Sequence, residues 1–306
     1  MHPKAVLDVI KEAASRWSED RASRLAAALA YYAVFALAPS LIIIIFVVGQ
    51  VLGESTVRQE ILTQIQNTVG SNGADLVRTM IQSKGNLGSG ILATGIGVVT
   101  IILGAVGLFS HLQSSLNTVW NVEIKKGSGI KVTILTRLLS FAAIVGLGVL
   151  FMLLLVLSTA LSLVQGYLGS TLPGSHYVWQ LANYGLSFVG VTLVVGVIFK
   201  VLPDAVVPWR DLWFGAVVTG LLLSVGNVLI GLYLGHASPA SSYGAAGAFV
   251  ALLLWIYYSA QIFLFGAELT EVYADKYGST IRPAEYAVRV ERVTRERKGA
   301  ETADSA

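Results

Sequence analysis

Apolar residues in this chain fall into six long, nearly uninterrupted stretches: Leu25–Leu52, Ser89–His111, Leu138–Val164, Leu181–Leu202, Leu212–Gly235 and Ala245–Tyr273. A hydrocarbon layer about 30 Å thick takes roughly 20 apolar residues in a helix. Each stretch is long enough to cross one, and the first, third and last have length to spare for tilt or an interfacial extension. Backbone groups in lipid must pair within their own segment, which selects helices. The period of two that a barrel strand requires is absent. The pattern predicts an all-α, polytopic membrane protein with six transmembrane helices.

Outside these stretches the period changes. Val6, Val9, Ile10, Ala13 and Trp17 recur at helical spacing, with Lys4, Lys11, Glu12 and Arg16 on the other faces. This predicts an amphipathic helix lying on the membrane surface. In the loop 53–88, Val57, Ile61, Leu62, Ile65 and Val69 form an apolar stripe. Asn72–Gly73 interrupts it, and Asp75 is placed to cap a second short helix carrying Leu76, Val77, Met80 and Ile81. A helical hairpin resting on the outer surface is expected there. The segment 284–298 alternates acidic and basic residues at i,i+4, as in Glu285–Arg289 and Glu291–Arg295, which predicts a solvated helix. The chain thus divides into an amphipathic cytoplasmic segment 1–24, a six-helix domain 25–274 with its outer helical loop 53–88, and a charged cytoplasmic tail 275–306.

Composition agrees with a membrane setting. Only 13% of residues are charged and 55% are hydrophobic, with a mean hydropathy of +0.70; soluble domains carry about 25% charged residues. The absence of cysteine excludes disulfides, thiolate metal sites and cysteine nucleophiles. The first 24 residues hold nine charges and no continuous apolar core, so no cleavable signal peptide is expected. Charge also sets orientation. Eighteen of the 21 Lys and Arg residues precede the first span, follow the last, or lie in or around the loops between spans 2 and 3 and between spans 4 and 5. The opposite loops hold Arg58, Arg78 and Lys84. The positive-inside rule places both termini in the cytoplasm of a multi-pass protein of the cytoplasmic (inner) membrane.

Candidate chemistry lies in polar residues within the apolar stretches. Tyr257, Gln261, Glu268 and Glu271 of the last span fall within a stripe about 80° wide at 100° per residue. The stripe reads either as the wall of a polar pathway or as carboxylates at the interface paired with Lys or Arg. Pro39 in the first span leaves the Phe35 carbonyl without its donor and predicts a bend. Glycines such as Gly215, Gly220 and Gly226 allow close helix packing. The four histidines show no metal-ligand spacing, and neither a Walker A loop nor a nucleophile elbow is present. No catalytic residue, metal or cofactor is expected.

Four stretches carry a resemblance: AAALAYYAVFALAPSLIIII (Ala26–Ile45), GLFSHLQSSLNTVWNV (Gly107–Val122), LPDAVVPWRDLWFGAVVTGLLL (Leu202–Leu223) and SSYGAAGAFVALLLWIYYSAQIFLFGAELTEVYA (Ser241–Ala274). They resemble the signature stretches of the YihY/BrkB family, from about Arg16 to Ala274. The resemblance implies an inner-membrane protein with six spans. The family once bore a ribonuclease BN label, later regarded as a misassignment, and some members are linked to serum resistance or envelope lipid export. It carries over no catalytic residue. Among the matching positions, Tyr31, Tyr32, Pro39, Asn117, Tyr257, Gln261 and Glu268 are candidates to line a pathway, and Asp204, Arg210 and Asp211 form a cytoplasmic loop motif. The expected partners are membrane lipids and a small-molecule or lipid substrate that the sequence does not identify, with oligomerisation left open. Nucleic acid is not among them, because the basic side needs only the positive-inside rule to explain it. A transporter or lipid translocator is favoured over a non-catalytic scaffold of envelope machinery and over a membrane-embedded enzyme.

Overall fold

The computed structural model describes residues 3–82, 91–125, 175–237 and 239–290, with individual positions between 146 and 164. The span expected over 138–164 therefore lies largely outside the described residues. The helices are α1 (Pro3–Glu19), α2 (Ala22–Leu52), α3 (Glu54–Val69), α4 (Ser71–Gln82), α5 (Ile91–Val119), α6 (Ser175–Val201), α7 (Trp209–Ala237) and α8 (Pro239–Tyr277). The fold is all-α and multi-span. Among the described residues, three segments are long and apolar enough to cross a membrane: Trp179–Val201, Trp209–Tyr233 and Ala246–Tyr277. Helices α2 and α5 cover the first two predicted stretches with 31 and 29 residues. Pro39 lies inside α2, which is helical on both sides of it.

The amphipathic helix forms as α1 and docks on the bundle. Val9 and Ala13 are buried with Leu269 and Val272 of α8, beside Val218 and Leu222 of α7. Val6, Leu7 and Ile10 remain exposed on another face, the arrangement of a helix that touches protein on one side and lipid on the next. Arg21, in the left-handed conformation at φ 52°, turns the chain from α1 into α2.

The loop 53–88 begins with a helical hairpin, but its hinge differs from the expected one. Gly70, at φ 93°, separates α3 from α4, and Asn72 and Gly73 lie inside α4. A positive φ costs glycine nothing, so the chain turns there. Asp75 does not cap a helix; it pairs with Arg78 at 2.9 Å one turn on. Val57, Ile61, Val77 and Ile81 are buried against Ile45 and Val48 of α2, which fixes the hairpin to the end of the bundle opposite α1.

Helices α7 and α8 cross through a reciprocal pair of Gly-x-x-x-Thr sequences. The Thr219 hydroxyl donates to the Gly215 carbonyl of its own helix at 2.7 Å, and Thr270 does the same to Gly266 at 2.7 Å. Each threonine lies over the other helix's glycine. A Cβ on Gly266 would stand 2.0 Å from Thr219 Oγ1, and one on Gly215 would stand 1.9 Å from Thr270 Oγ1. The hydroxyls are satisfied within their own helices, and the missing side chains let the two backbones meet.

Beyond the spans the structure departs from an all-helical reading. Asn121, left-handed at φ 53°, ends α5 as asparagine commonly does. The chain then enters β1 (Val122–Ile124), which pairs antiparallel with β4 (Ala287–Arg289). A second pair joins β2 (Ala205–Val206) to β3 (Arg282–Pro283). The helix expected from residue 284 does not form in the described part, because 284–290 is a turn followed by β4. Backbone partners from β1 replace the weak i,i+4 pairs that favoured a helix, and residues 291–298 lie outside the described set.

Candidate functional site

Three sequence-distant pieces meet at the α1 end of α8. Glu268 and Glu271 are 0% and 1% exposed. Arg16 of α1 stands 3.2 Å from Glu271 and donates to Asp275 at 2.9 Å and to Glu12 at 2.7 Å. Lys276 pairs with Glu12. From the tail, Arg289 approaches Glu271 at 3.7 Å and Asp275 at 3.9 Å. The Lys276 hydrogen bond holds the Glu12 carboxyl below its ordinary range, with Arg16 adding to the effect against partial burial. Burial works against the Arg16 charge, yet Asp275, Glu12 and Glu271 outweigh it and hold its pKa above the ordinary arginine value. The interfacial carboxylate pairing with basic residues therefore describes Glu271. The oxygens of both glutamates are buried without a hydrogen-bond partner among the described residues, but Glu268, unlike Glu271, also has no cation within ion-pair distance among them.

Farther along the same stripe, Gln261 Oε1 is also buried without a partner among the described residues, and Tyr257 packs against the main core. Trp120 closes one side of this region. It is 1% exposed, and its indole N–H donates to the Ala267 carbonyl, next to Glu268, at 3.2 Å. Sequence reading passed over Trp120, Arg16 and Asp275. Trp120 lies within a motif stretch, and Arg16 is spaced i,i+4 from Glu12; neither signal identifies a partner on α8.

The remaining candidates go elsewhere. Asn117 joins Asp204: its side-chain N–H donates to Asp204 Oδ2 at 2.6 Å and its carbonyl accepts the Asp204 backbone N–H at 2.8 Å. Gln113 donates to Asp204 Oδ1 at 3.2 Å. The Tyr286 hydroxyl also bonds Asp204, and burial together with that carboxylate pushes its pKa up to about 12. Asp211 is buried in the first turn of α7 and accepts the Ser279 backbone N–H at 2.9 Å. A Cβ on Gly278 would stand 2.3 Å from Asp211 Oδ1, so only glycine fits there. Arg210 is exposed. On α2, Tyr31 is 58% exposed and rests on Phe35, while Tyr32 packs on His111 with ring centres 4.3 Å apart. The side chain of Pro39 lies outside the described residues. Among the described residues no cluster of three or more His, Cys, Asp or Glu side chains is arranged to hold a metal ion.

Comparison with known proteins adds relatives to this geometry. The family model described as "Virulence factor BrkB" matches residues 13–290. The chain is 29% identical over 262 residues to a UPF0761 membrane protein of Pseudomonas aeruginosa strain UCBPP-PA14, covering 84% of this chain and 60% of that protein. It is 28% identical over 260 residues to one from Alcanivorax borkumensis, covering 83% and 57%. It is 29% identical over 272 residues to one from Azotobacter vinelandii, covering 86% and 62%. The chain therefore spans about three-fifths of the length of these curated relatives. Their names describe membrane proteins and state no reaction. No solved structure matches. With nearly the whole described bundle inside the match, this chain belongs to the BrkB family of membrane proteins.

Proposed function

We propose that the protein is a six-span translocator of lipids or other amphiphiles in the cytoplasmic membrane, with both termini inside. One observation carries this reading. Gln261 and Glu268 lie on one stripe of α8 with buried oxygens that no described donor meets. A buried polar group left unpaired costs about 1–3 kcal/mol. A row of acceptors kept at that cost inside an apolar bundle supports a path for a species that brings its own donors. Glu268→Gln removes the charge at similar size, and Gln261→Ala removes the polar group deeper in the span. Each variant is expected to abolish complementation of a deletion strain while expression and thermal stability stay near wild type. Full complementation by both folded variants would end the pathway reading. A second reading, a non-catalytic scaffold, is favoured by the tail strands that bind the inter-span loops into one layer. It predicts that function follows the integrity of that layer and is indifferent to Glu268.

A further inference from the structure

The α3–α4 hairpin has an apolar face closed against α2, with Leu76 packed near Trp255 and Ile256 of α8. Its other face is concave. A depression of about 740 Å³ is lined there by Glu54, Arg58, Gln59, Thr63, Gln66 and Arg78 among others. In the six-span topology only three Lys or Arg residues face outward, and two of them line this one depression. The positive-inside rule disfavours such charges on that side, so their convergence calls for a local use. Both are held lightly. Arg58 pairs with Glu54 at 2.9 Å, with side chains 40% and 65% exposed. Arg78 pairs with Asp75 at 2.9 Å, with 52% and 65% exposed. Exposed pairs of this kind are worth about 0–1 kcal/mol, so an incoming anion displaces them at little cost. Arg58 Nε is buried without a hydrogen-bond partner among the described residues, so the bond from Nη2 to Glu54 is the contact those residues give the guanidinium. Gln59, Thr63 and Gln66 follow at i, i+4 and i+7 along α3 and present neutral donors and acceptors on one face.

We infer that this depression binds the headgroup of an anionic phospholipid, the phosphate held by Arg58 and Arg78 and the headgroup hydroxyls by Gln59, Thr63 and Gln66. A lipid suits the site better than a free anion because α3 begins at Glu54, two residues after the end of α2 at Leu52, which sets Glu54 and Arg58 at the level where headgroups lie. The inference deepens the translocator reading and rests on it for its purpose, but binding is measured apart from transport.

The test titrates the purified full chain in detergent with phosphatidylglycerol and counts bound lipid by native mass spectrometry, with phosphatidylcholine and inorganic phosphate as parallel probes. The double variant Arg58→Gln/Arg78→Gln is expected to bind phosphatidylglycerol about tenfold more weakly, since two charge-assisted contacts are lost. Glu54→Gln, which removes a competing carboxylate, is expected to bind it more tightly. Lys4→Gln, an exposed change on α1, leaves binding as in wild type. Undiminished binding by the double variant overturns the inference, as does equal affinity for phosphatidylcholine. Displacement of phosphatidylglycerol by inorganic phosphate at equal concentration overturns the lipid assignment. If the double variant does not fold, the absence of any gain in Glu54→Gln is equally decisive. Complementation by the Glu268 and Gln261 variants would end the pathway reading while leaving this binding result standing.

Discussion

Removing the Asp204 carboxylate deprives Gln113, Asn117 and Tyr286 of a shared acceptor. Asp204→Ala is expected to lower stability by roughly 2–4 kcal/mol, because bonds to a charged acceptor are worth more than neutral ones and the donors left behind are partly buried. Denaturant unfolding in micelles measures it. Tyr286 gives the same network a pH signature. Its phenol titrates near 12 in the folded chain against an ordinary value of 10.0. A raised pKa contributes stability that is whole below the unfolded value and is lost as pH rises through the folded one. Wild type should therefore lose more stability than Tyr286→Phe between pH 10 and 12, and parallel curves for the two would refute the assignment. Asp204, Asn117 and Gln113 all stand in motif stretches and are legible as polar residues of interest. Their mutual bonding is not, because Asn117 and Asp204 are 87 residues apart and no local periodicity links them.

At the scale of the element, the crossing of α7 and α8 depends on two absent side chains. Gly266→Ala and Gly215→Ala each drive a methyl into a threonine and are expected to cost about 1–3 kcal/mol as overpacking. Gly185, with no described atom within 4 Å of its added Cβ, is the control: Gly185→Ala should leave the melting temperature unchanged or raise it. The glycines are visible in the sequence as packing positions; the register that sets each against a threonine belongs to the fold. Docking of α1 depends on Arg16. Arg16→Gln leaves Glu271, 1% exposed, without its nearest cation. The expected loss is on the order of 2 kcal/mol, between the exposed and buried regimes because Arg16 itself is partly exposed. Faster tryptic cleavage at Arg21 and Arg24 would report release of the helix, and unchanged cleavage would show that the apolar contacts of Val9 and Ala13 suffice. The alternation of apolar positions made α1 legible, whereas the tail was misread. Its charge spacing suits a helix in isolation, and only the unpaired edge of β1 makes the extended form better.

For the whole molecule, the proposed six-span topology makes a direct prediction. Reporters inserted within 123–131 or after Ala274 should give the cytoplasmic signal, and those within 53–88 or 166–177 the outer one. Cytoplasmic signals from both of the latter would overturn the orientation. The structure already sets β1 and the tail side by side, with α3 and α4 at the other end of α2, so these two groups should report opposite sides. Membrane residence, the helical class and the family were legible because apolar run length and long motif stretches are local properties of the chain. The layer formed by the loops and the tail was not, because it depends on pairing across most of the sequence.

That pairing also sets an order of events during synthesis. Lys125, just after β1, donates to the carbonyl of Glu285, 160 residues later, and β1 has no strand partner among the described residues until 287–289 is made. At about 5–20 residues per second, the interval is roughly 8–30 s. Throughout it the bundle is threaded into the membrane while its loop layer stays open, and Asp204 lacks Tyr286. Completion of that layer is thus a late event of biogenesis, and a ribosome stalled before residue 282 would leave a protein that is inserted but not yet fastened.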